Sequence, residues 1–406
     1  MSKIKILHLV DNWPNKLIPN SGVFLFNTIE RLNKYGHNSE NEVALVLKYN
    51  SKDTLRLIFN KRKIHYILPF FHKRIYKQSN IKLLFLFYFS VPAKHFSLKL
   101  KLLRMFTLTK IIKIVKNNKY DILHAHICTP GGYLAFIIKR LYKIPYIIHV
   151  HGRDVQEFDE FTIEEKNQIV NIYENANALV CNSTKTYNLV KKIVKKEENI
   201  RIIPFSVDVN FIKKTKTFDE NIIKLVSVCN LKKVKSIADV INAINISNIK
   251  GKIMYDIIGY GEEYYELRKL INMYKLNNSI RLLGSLDNED VLNILSDYDV
   301  FVLPSKNEAF GVAYLEALAC GLPCIAIKGQ GWEDIDPMHE SIIPVCPDDI
   351  TELKNALEYF YFEPEKRREM GLNGQKIVKN RYSVSIVNSM YESLYKQLFN
   401  NEYEKV

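Results

Sequence analysis

The chain has 406 residues, of which 47% are hydrophobic and 25% are charged. This composition is typical of a folded globular protein and excludes a disordered one. The length exceeds that of one ordinary hydrophobic core, so we expect two domains of about 200 residues each. The net charge of +14 is uneven, because residues 1–205 carry 34 basic and 15 acidic side chains, whereas residues 206–406 carry 24 and 29.

The excess of basic charge is concentrated in residues 48–119, which contain 18 basic side chains and a single acidic one, Asp53. Aromatic residues and leucines are interspersed with these charges, a combination typical of surfaces that bind anionic membranes. A solvated basic face over an ordinary core is one alternative. Nucleic-acid binding is another, but the sequence contains no helix-turn-helix, zinc-finger or RNP-like signature. We predict an anionic membrane surface, and no nucleic acid, as a partner.

The sequence contains no pattern typical of a membrane span or a signal peptide. The most apolar run, Leu83 to Val91, has nine residues, whereas a span needs about 20. The first ten residues lack the apolar core and the cleavage site of a signal peptide. We therefore expect a cytoplasmic protein that is peripheral at the inner face of the membrane.

Short apolar strands alternate with amphipathic helices along the chain, which is typical of parallel sheets covered on both faces. The strands predicted in the first half are Ile4–Val10, Glu42–Leu47, Ile122–His126, Tyr146–Val150, Ala178–Asn182 and Ile200–Pro204. The strands predicted in the second half are Leu225–Val228, Lys252–Ile258, Ile280–Leu283, Val300–Leu303 and Pro323–Ile327. This order predicts two doubly wound α/β domains, residues 1–205 and 206–384. A last amphipathic helix, about 385–406, is expected to pack back on the first domain.

Two carboxylates, Glu308 and Glu316, lie eight residues apart in the segment that follows the predicted strand Val300–Leu303. Because ligands bind outside the carboxyl ends of parallel strands, this segment is predicted to line a binding site. The helix predicted after Gly311 offers free backbone N–H groups, which favour an anion such as a diphosphate. A carboxylate accepts two hydrogen bonds at once and therefore suits the vicinal hydroxyls of a hexose or ribose.

This segment, PSKNEAFGVAYLEALACGLPCIA, resembles the E-x7-E region of glycosyltransferase family 4. Members of that family are retaining enzymes with the GT-B fold, in which two Rossmann-like domains face a central cleft. Further resemblances follow in the expected order, namely PNSGVF, YDILHAH, IPYIIHVHGRD, VCNSTKTYNLV, IRIIPFSVD, VSVCNLKKVKS, IIGYGEE and LLGSL.

The resemblance implies a hexosyl- or N-acetylhexosaminyltransferase that uses a nucleotide-diphosphate sugar, with a UDP-sugar expected. The implied acceptor is a glycan or a lipid-linked glycan, in the synthesis of a surface polysaccharide or glycolipid. Retention is expected to arise from attack on the face that the nucleotide leaves, with direct participation of Glu308 as the alternative.

The resemblance also implies the residues of the site. Glu308 and His151 are the catalytic candidates, and Arg153 and Asp154 are candidates for the acceptor side. Glu308 would hold sugar hydroxyls and Glu316 the ribose. The residues implied in donor binding are Gly22, Asn230, Lys235, Phe310, Gly311, Val312 and Glu316.

The chain departs from the family pattern at two loops. Cys229-Asn230 and Lys235-Ser236 stand where the family often has Gly-Arg and Lys-Gly. One of the two usual diphosphate-facing cations is therefore replaced by a neutral amide, and Lys235 alone supplies the charge. The family's PNGVD turn reads PFSVD here, beginning at Pro204.

Four histidines, in the pairs His124 with His126 and His149 with His151, end two predicted strands. The members of each pair point to the same face, which raises the alternative of a metal site. The sequence defines no third-ligand geometry and the resemblance implies no metal, so we predict no metal and no cofactor. The D-x-D sequence at Asp297 precedes a strand, the wrong end of the sheet for a manganese site, and is predicted to be a turn.

Two other functions fit part of these observations. A sugar-nucleotide epimerase would share the architecture but should need acid/base carboxylates in both domains. A non-catalytic sugar-nucleotide-binding protein is disfavoured because both Glu308 and Glu316 are present.

Overall fold

The structure is a computed structural model that describes residues 3–14, 22–36, 38–50, 81–90, 96–209 and 221–403. The chain divides into two compact units, Met1–Phe205 with Val387–Val406, and Ser206–Ile386. Each unit contains one parallel sheet. Within the described part of the chain, no helix combines the length and the apolar character needed to cross a bilayer.

Seven parallel strands form the sheet of the first unit in the order β3-β2-β1-β4-β5-β6-β7. These strands are β1 (Ile4–Val10), β2 (Ser39–Asn50), β3 (Leu83–Ser90), β4 (Ile122–Ala125), β5 (Tyr146–Val150), β6 (Ala178–Cys181) and β7 (Ile200–Ile202). The α-helices are α1 (Val23–Tyr35), α2 (Phe96–Asn118), α3 (Tyr133–Tyr142), α4 (Arg153–Gln156), α5 (Ile163–Glu174) and α6 (Thr184–Lys191). The strand order reverses between β1 and β4, where doubly wound sheets bind ligands.

Six parallel strands form the sheet of the second unit in the order β10-β9-β8-β11-β12-β13. They are β8 (Ile223–Val228), β9 (Ile253–Ile258), β10 (Ile280–Gly284), β11 (Val300–Leu303), β12 (Cys324–Ile327) and β13 (Ile342–Val345). The helices that follow are α7 (Ile237–Ile246), α8 (Tyr264–Met273), α9 (Asn288–Leu295), α10 (Val312–Ala319), α11 (Ile350–Phe362), α12 (Pro364–Arg381) and α13 (Val384–Tyr403). Here the order reverses between β8 and β11.

Both faces of the first sheet are buried, because successive side chains of a strand point to opposite faces. Ile6 of β1 and Ile147 of β5 pack with Tyr391 of α13 in one core. Leu7 and Ile148, the next residues along the same strands, belong to the core on the opposite face. The last helix therefore covers one face of the first sheet.

The structure confirms the predicted fold class, a pair of doubly wound parallel sheets. The sequence prediction omits two strands, β3 and β13, which both lie at sheet edges. The sequence of β3, LLFLFYFS, lacks the alternation that marks a strand. Strand β13 has only four residues and includes Pro344, a residue that sheets tolerate mainly at their edges.

Candidate active site

In the second unit, the loops after β8 and β11 meet where the strand order reverses. The loop after β8 carries Lys235, whose Nζ donates to Oε1 of Glu308 in the loop after β11. The two side chains are partly buried, with 21% and 14% of their areas exposed. The structure thus brings together two of the site residues predicted from the sequence.

The main chain of Glu308 is fixed by the loop that follows β12. Its N–H donates to Oε1 of Gln330 at 3.0 Å, and its carbonyl accepts from the N–H of Gly331 at 3.1 Å. A Cβ on Gly331 would lie 2.0 Å from the carbonyl oxygen of Ala309, so only glycine allows this approach. The carboxylate of Glu308 therefore extends from a backbone held on both sides.

Helix α10 begins directly after this loop, and four of the predicted donor residues lie in the helix or in the two positions before it. Gly311 has a φ of 94° and provides no side-chain cap, so the N-terminus of α10 is left to other hydrogen-bond acceptors. Val312, the first helical residue, is half-buried, whereas Phe310 is 2% exposed and packs against Tyr382. Phe310 thus anchors the loop. Farther along the helix, the half-buried Glu316 accepts from Nδ2 of Asn288 at 3.3 Å, at the start of α9.

The loop after β9 packs closely on the loop that carries Asn230. A Cβ on Gly259 would lie 1.8 Å from the carbonyl oxygen of Cys229, and one on Gly261 would lie 2.4 Å from the carbonyl oxygen of Leu231, the residue after Asn230. Glycine at both positions is required by this approach of two backbones. Asn230 itself is exposed and occupies the position where the resembled family has a cation.

The predicted turn at Asp297–Asp299 is confirmed, because these residues connect α9 to β11. The carboxylate of Asp299 is 3% exposed and accepts from the backbone N–H of Lys224 at 2.7 Å. This aspartate therefore ties β8 to the start of β11 and lies at the amino end of the sheet, away from the loops described above.

In the first unit, five histidines form a layer at the carboxyl ends of β1, β4 and β5. They are His8, His124, His126, His149 and His151. The layer lies on the sheet face that α13 covers, since Nδ1 of His124 is 2.9 Å from Oη of Tyr395 and Nδ1 of His149 is 3.1 Å from Oη of Tyr391. Sequence reasoning missed His8, which lies inside an apolar strand. Its position two residues after Ile6, on the face toward α13, was the available signal.

A chain of hydrogen bonds defines the tautomers at one end of the histidine layer. The backbone N–H of Asn41 donates to Oδ1 of Asn33, which orients that amide. Nδ2 of Asn41 donates to the same oxygen, so Oδ1 of Asn41 accepts from Nε2 of His8 at 2.9 Å. Nδ1 of His8 then accepts from Nε2 of His126 at 2.8 Å. This assignment leaves a lone pair on Nδ1 of His126, an atom that has no partner among the described residues.

Ligand-capable nitrogens of His126, His149 and His151 lie within 4.8 Å of one another. Their rings are stacked, with planes between 7° and 29° apart. Lone pairs lie in the ring planes, so nearly parallel rings do not direct them at one point, as a tetrahedral ion requires. These three histidines therefore do not present a preformed metal centre, and the absence of a metal stays a prediction.

Burial keeps the histidine layer neutral. It lowers the pKa of His8 to about 4 and that of His151 to about 3. The pKa values of His124, His126 and His149 also fall well below 6.5, first because of burial and then because of their histidine neighbours. A neutral imidazole both donates and accepts a hydrogen bond.

The other predicted residues of the first unit lie in loops after its strands. Gly22 precedes α1 with a φ of 70°, and a Cβ there would lie 2.6 Å from the carbonyl oxygen of Asn12. Arg153 and Asp154 begin α4, but their side chains lie outside the described residues, as do residues 15–21 of the first glycine loop.

The neutral histidines predict that the first unit loses stability in mild acid. Because their folded pKa values lie below 6.5, the unfolded chain binds more protons as the pH falls below that value. The free energy of unfolding should be unaffected by these groups above pH 6.5 and decrease from there toward pH 4, by up to about 1.4 kcal/mol per histidine and pH unit.

Urea unfolding between pH 7.5 and pH 4.5 measures this slope. His149→Gln should reduce the slope of the unfolding free energy against pH by the contribution of one proton. His339→Gln, at an exposed site of the second unit, should leave that slope unchanged. A stability that stays constant from pH 7.5 to pH 5 would contradict the neutral layer.

Comparison with known proteins finds similarity along most of the chain. The sequence profile "Glycosyltransferase Family 4" matches residues 63–211, and the profile "Glycosyl transferases group 1" matches residues 208–377. The chain is 24% identical over 301 residues to the N-acetyl-alpha-D-glucosaminyl L-malate synthase of Bacillus anthracis, covering 71% of this chain and 77% of that protein. It is 29% identical over 244 residues to the UDP-Gal:alpha-D-GlcNAc-diphosphoundecaprenol alpha-1,3-galactosyltransferase of Escherichia coli, covering 56% of this chain and 62% of that one.

Solved structures share the fold over nearly the whole chain. HepE of Anabaena, crystallised in complex with UDP, aligns with a TM-score of 0.73 at 18% identity, over 97% of this chain and 100% of that one. Sucrose-phosphate synthase from Thermosynechococcus elongatus aligns with a TM-score of 0.76 at 17% identity, over 98% of this chain and 100% of that one. These neighbours have the GT-B fold. With two adjoining profiles that together span residues 63–377, the chain belongs to glycosyltransferase family 4 and is a glycosyltransferase.

Proposed function

We propose that the protein is a retaining glycosyltransferase that moves a sugar from a UDP-sugar to a glycan or a lipid-linked glycan. The observation that carries this proposal is the contact between Lys235, in the loop after β8, and Glu308, in the loop that precedes the N-terminus of α10. HepE of Anabaena was crystallised with UDP, and the Escherichia coli relative is named for UDP-galactose and a diphosphoundecaprenol-linked acceptor. Another relative is named for O-antigen biosynthesis, which supports a role in surface polysaccharide synthesis.

The second unit supplies groups for the diphosphate, the sugar and the ribose of a UDP-sugar. Lys235 and the N-terminal N–H groups of α10 stabilise the diphosphate. Glu308 accepts hydrogen bonds from sugar hydroxyls, and Glu316, already paired with Asn288, accepts those of the ribose. Asn230 contributes a neutral hydrogen bond only. In the absence of donor, Lys235 and Glu308 neutralise each other, and the incoming diphosphate and hydroxyl groups take over as their partners.

Retention follows from attack on the same face of the sugar from which UDP leaves. The bond between the anomeric carbon and the diphosphate oxygen breaks, the acceptor oxygen bonds to that carbon, and the acceptor proton passes to the leaving diphosphate. Negative charge grows on the diphosphate during this step. Lys235 and the N-terminus of α10 stabilise it without a divalent ion. In the first unit, the neutral His151 offers a hydrogen bond to the sugar or its phosphate.

Helix α2 of the first unit fits an anionic membrane surface. It contains six basic and no acidic residues. Its buried face consists of Phe96, Leu100, Leu103, Thr107, Ile111 and Val115. Its exposed basic side chains are Lys101, Arg104, Lys110, Lys113 and Lys116. Leu98, Met105 and Phe106 are 46%, 62% and 40% exposed, which adds apolar area to the charge.

Membrane binding would concentrate a lipid-linked acceptor next to the enzyme, at the inner face of the membrane. Of the basic stretch predicted from the sequence, residues 51–80 and 91–95 lie outside the described residues. The proposal therefore rests on α2.

Incubation with a panel of UDP-sugars, in excess chelator, tests the donor and the metal together. We expect release of UDP from at least one donor and mass detection of a glycosylated acceptor, because the cation at the diphosphate is Lys235. Activity that disappears with chelator and returns with Mg²⁺ or Mn²⁺ would contradict the metal-free step. Conversion of the UDP-sugar to an isomer, without UDP release, would indicate an epimerase.

The two carboxylates should differ in their kinetic effect. Glu308→Gln should lower kcat about 100-fold or more, because the lost charge acts on the reacting sugar. Glu316→Gln should mainly raise the KM for the donor, since its partner is the ribose. Glu365→Gln, at an exposed position of α12, is the matched control and should leave both constants unchanged. Near wild-type turnover of both site variants would refute the assignment.

Binding to lipid vesicles tests the role of α2. Binding should increase with anionic lipid content and weaken as added salt shortens the Debye length from about 10 Å at 0.1 M. Reversal of Lys99, Lys101 and Arg104 to Glu should weaken both vesicle binding and transfer to a lipid-linked acceptor, while leaving hydrolysis of the donor unchanged. Reversal of Arg368, Lys376 and Lys379, exposed on α12, should have no effect. Vesicle binding that is absent or insensitive to salt would indicate a solvated basic face.

A further inference from the structure

The ring of Phe205 stacks on two rings of the histidine layer. Its centroid lies 5.9 Å from that of His151 with the planes 12° apart, and 5.8 Å from that of His149 with the planes 14° apart. Phe24, in the first turn of α1, contacts both Phe205 and His151 edge to face, at 5.4 Å and 5.2 Å. Phe24, Phe205 and His151 therefore form a three-ring cluster in which each ring contacts the other two.

Phe205 belongs to a loop in which this chain departs from its family. It follows β7 and Pro204, at the place where the family's PNGVD turn has asparagine, and it is 6% exposed. An asparagine side chain would offer hydrogen bonds but little contact area. A phenyl ring at this position instead excludes water from His151 and restrains the plane of its ring.

His151 has hydrogen-bonding capacity that the described residues do not use. Both of its ring nitrogens are buried and have no hydrogen-bond partner among those residues. The adjacent His149 differs, because its Nδ1 lies 3.1 Å from Oη of Tyr391. A buried imidazole that makes no hydrogen bond is costly, so the two ring nitrogens of His151 favour the binding of a polar group.

We infer that Phe205, together with Phe24, is a positioning residue that holds the imidazole of His151 in the orientation in which it hydrogen-bonds the sugar–diphosphate donor. The inference rests on the proposed function, because that function makes His151 a donor-contacting group. The rings of Phe24 and Phe205 are nearly perpendicular to each other and together restrain the ring of His151. The N–H and the lone pair of His151 then point in fixed directions.

The three-ring cluster also determines the charge of His151. Burial lowers the pKa of this residue to about 3, so the imidazole is neutral and can both donate and accept. Among the described residues, the titratable groups that face it are His126 and His149, with His8 and His124 farther along the layer. These histidines are neutral at pH 7 for the same reason. Because Phe205 excludes water from His151, we expect the enzyme to stay active to a lower pH.

Three substitutions of Phe205 separate its effect on the orientation of the His151 ring from its effect on the burial of that ring. Phe205→Leu keeps an apolar side chain but removes the ring, and should lower kcat/KM about tenfold or more, chiefly through kcat. Phe205→Asn should cause the same loss and in addition admit water, which raises the pKa of His151 and moves the acid limb of the pH–rate profile to higher pH. Phe205→Tyr, which retains the ring, should restore most of the activity.

Phe399→Leu is the matched control, because it removes an aromatic ring that packs against a core of the same unit. It should lower the unfolding midpoint without changing kcat, KM or the acid limb. If Phe205→Leu and Phe205→Asn behave like this control and change only the unfolding midpoint, Phe205 has a merely structural role and the inference is overturned.

Titration of the protein labelled with ¹⁵N-histidine reads the His151 ring without turnover, with His151→Gln providing the assignment. A higher pKa for His151 in Phe205→Asn, but not in Phe399→Leu, supports the control of its charge by Phe205, and an unchanged pKa overturns it. Should the wild-type protein transfer no sugar from any UDP-sugar, the proposed function fails, and the titration still decides whether Phe205 governs His151.

Discussion

The parallel order of the strands is the constraint on which the candidate site depends. Because neighbouring strands run in the same direction, the loops that follow them gather at one edge of each sheet. Lys235 and Glu308 are 73 residues apart in the chain, yet they meet because β8 and β11 are adjacent. Gly259 and Gly331 lie in loops at the carboxyl ends of the strands, and each glycine lets its loop pack directly on a neighbouring loop.

The two units use burial in opposite ways. In the second unit, two charges of opposite sign are partly withdrawn from water and neutralise each other, so each needs a new partner when the other is engaged. In the first unit, burial removes charge altogether, because it lowers the pKa of His8 and of His151 so far that both imidazoles are neutral at pH 7. The first arrangement suits the binding of a charged group, and the second suits directional hydrogen bonds.

Much of the fold could be predicted because hydrophobic periodicity is a local signal. Strands β1, β5 and β11 have the predicted bounds. The edge strands β3 and β13 could not be identified, since their sequences lack the alternation or length on which such predictions depend. The sequence indicates Lys235 and Glu308 as site residues, but it does not predict their contact, because motif spacing does not report side-chain contacts. The joining of His8 to four other histidines required the register of β1 against β4, in which His8 lies opposite His124.

The path of helix α13 has a consequence for biosynthesis. The helix completes a core whose other members come from the first half of the chain, including Ile6, Ile122 and Ile147. On the ribosome, Tyr391 and Tyr395 emerge only after the whole of the second unit has been made. Until then the isoleucines of that sheet face, and the histidines next to them, lack their cover. The nascent first half therefore carries an exposed apolar surface throughout translation of the second, and surfaces of this kind are prone to aggregation.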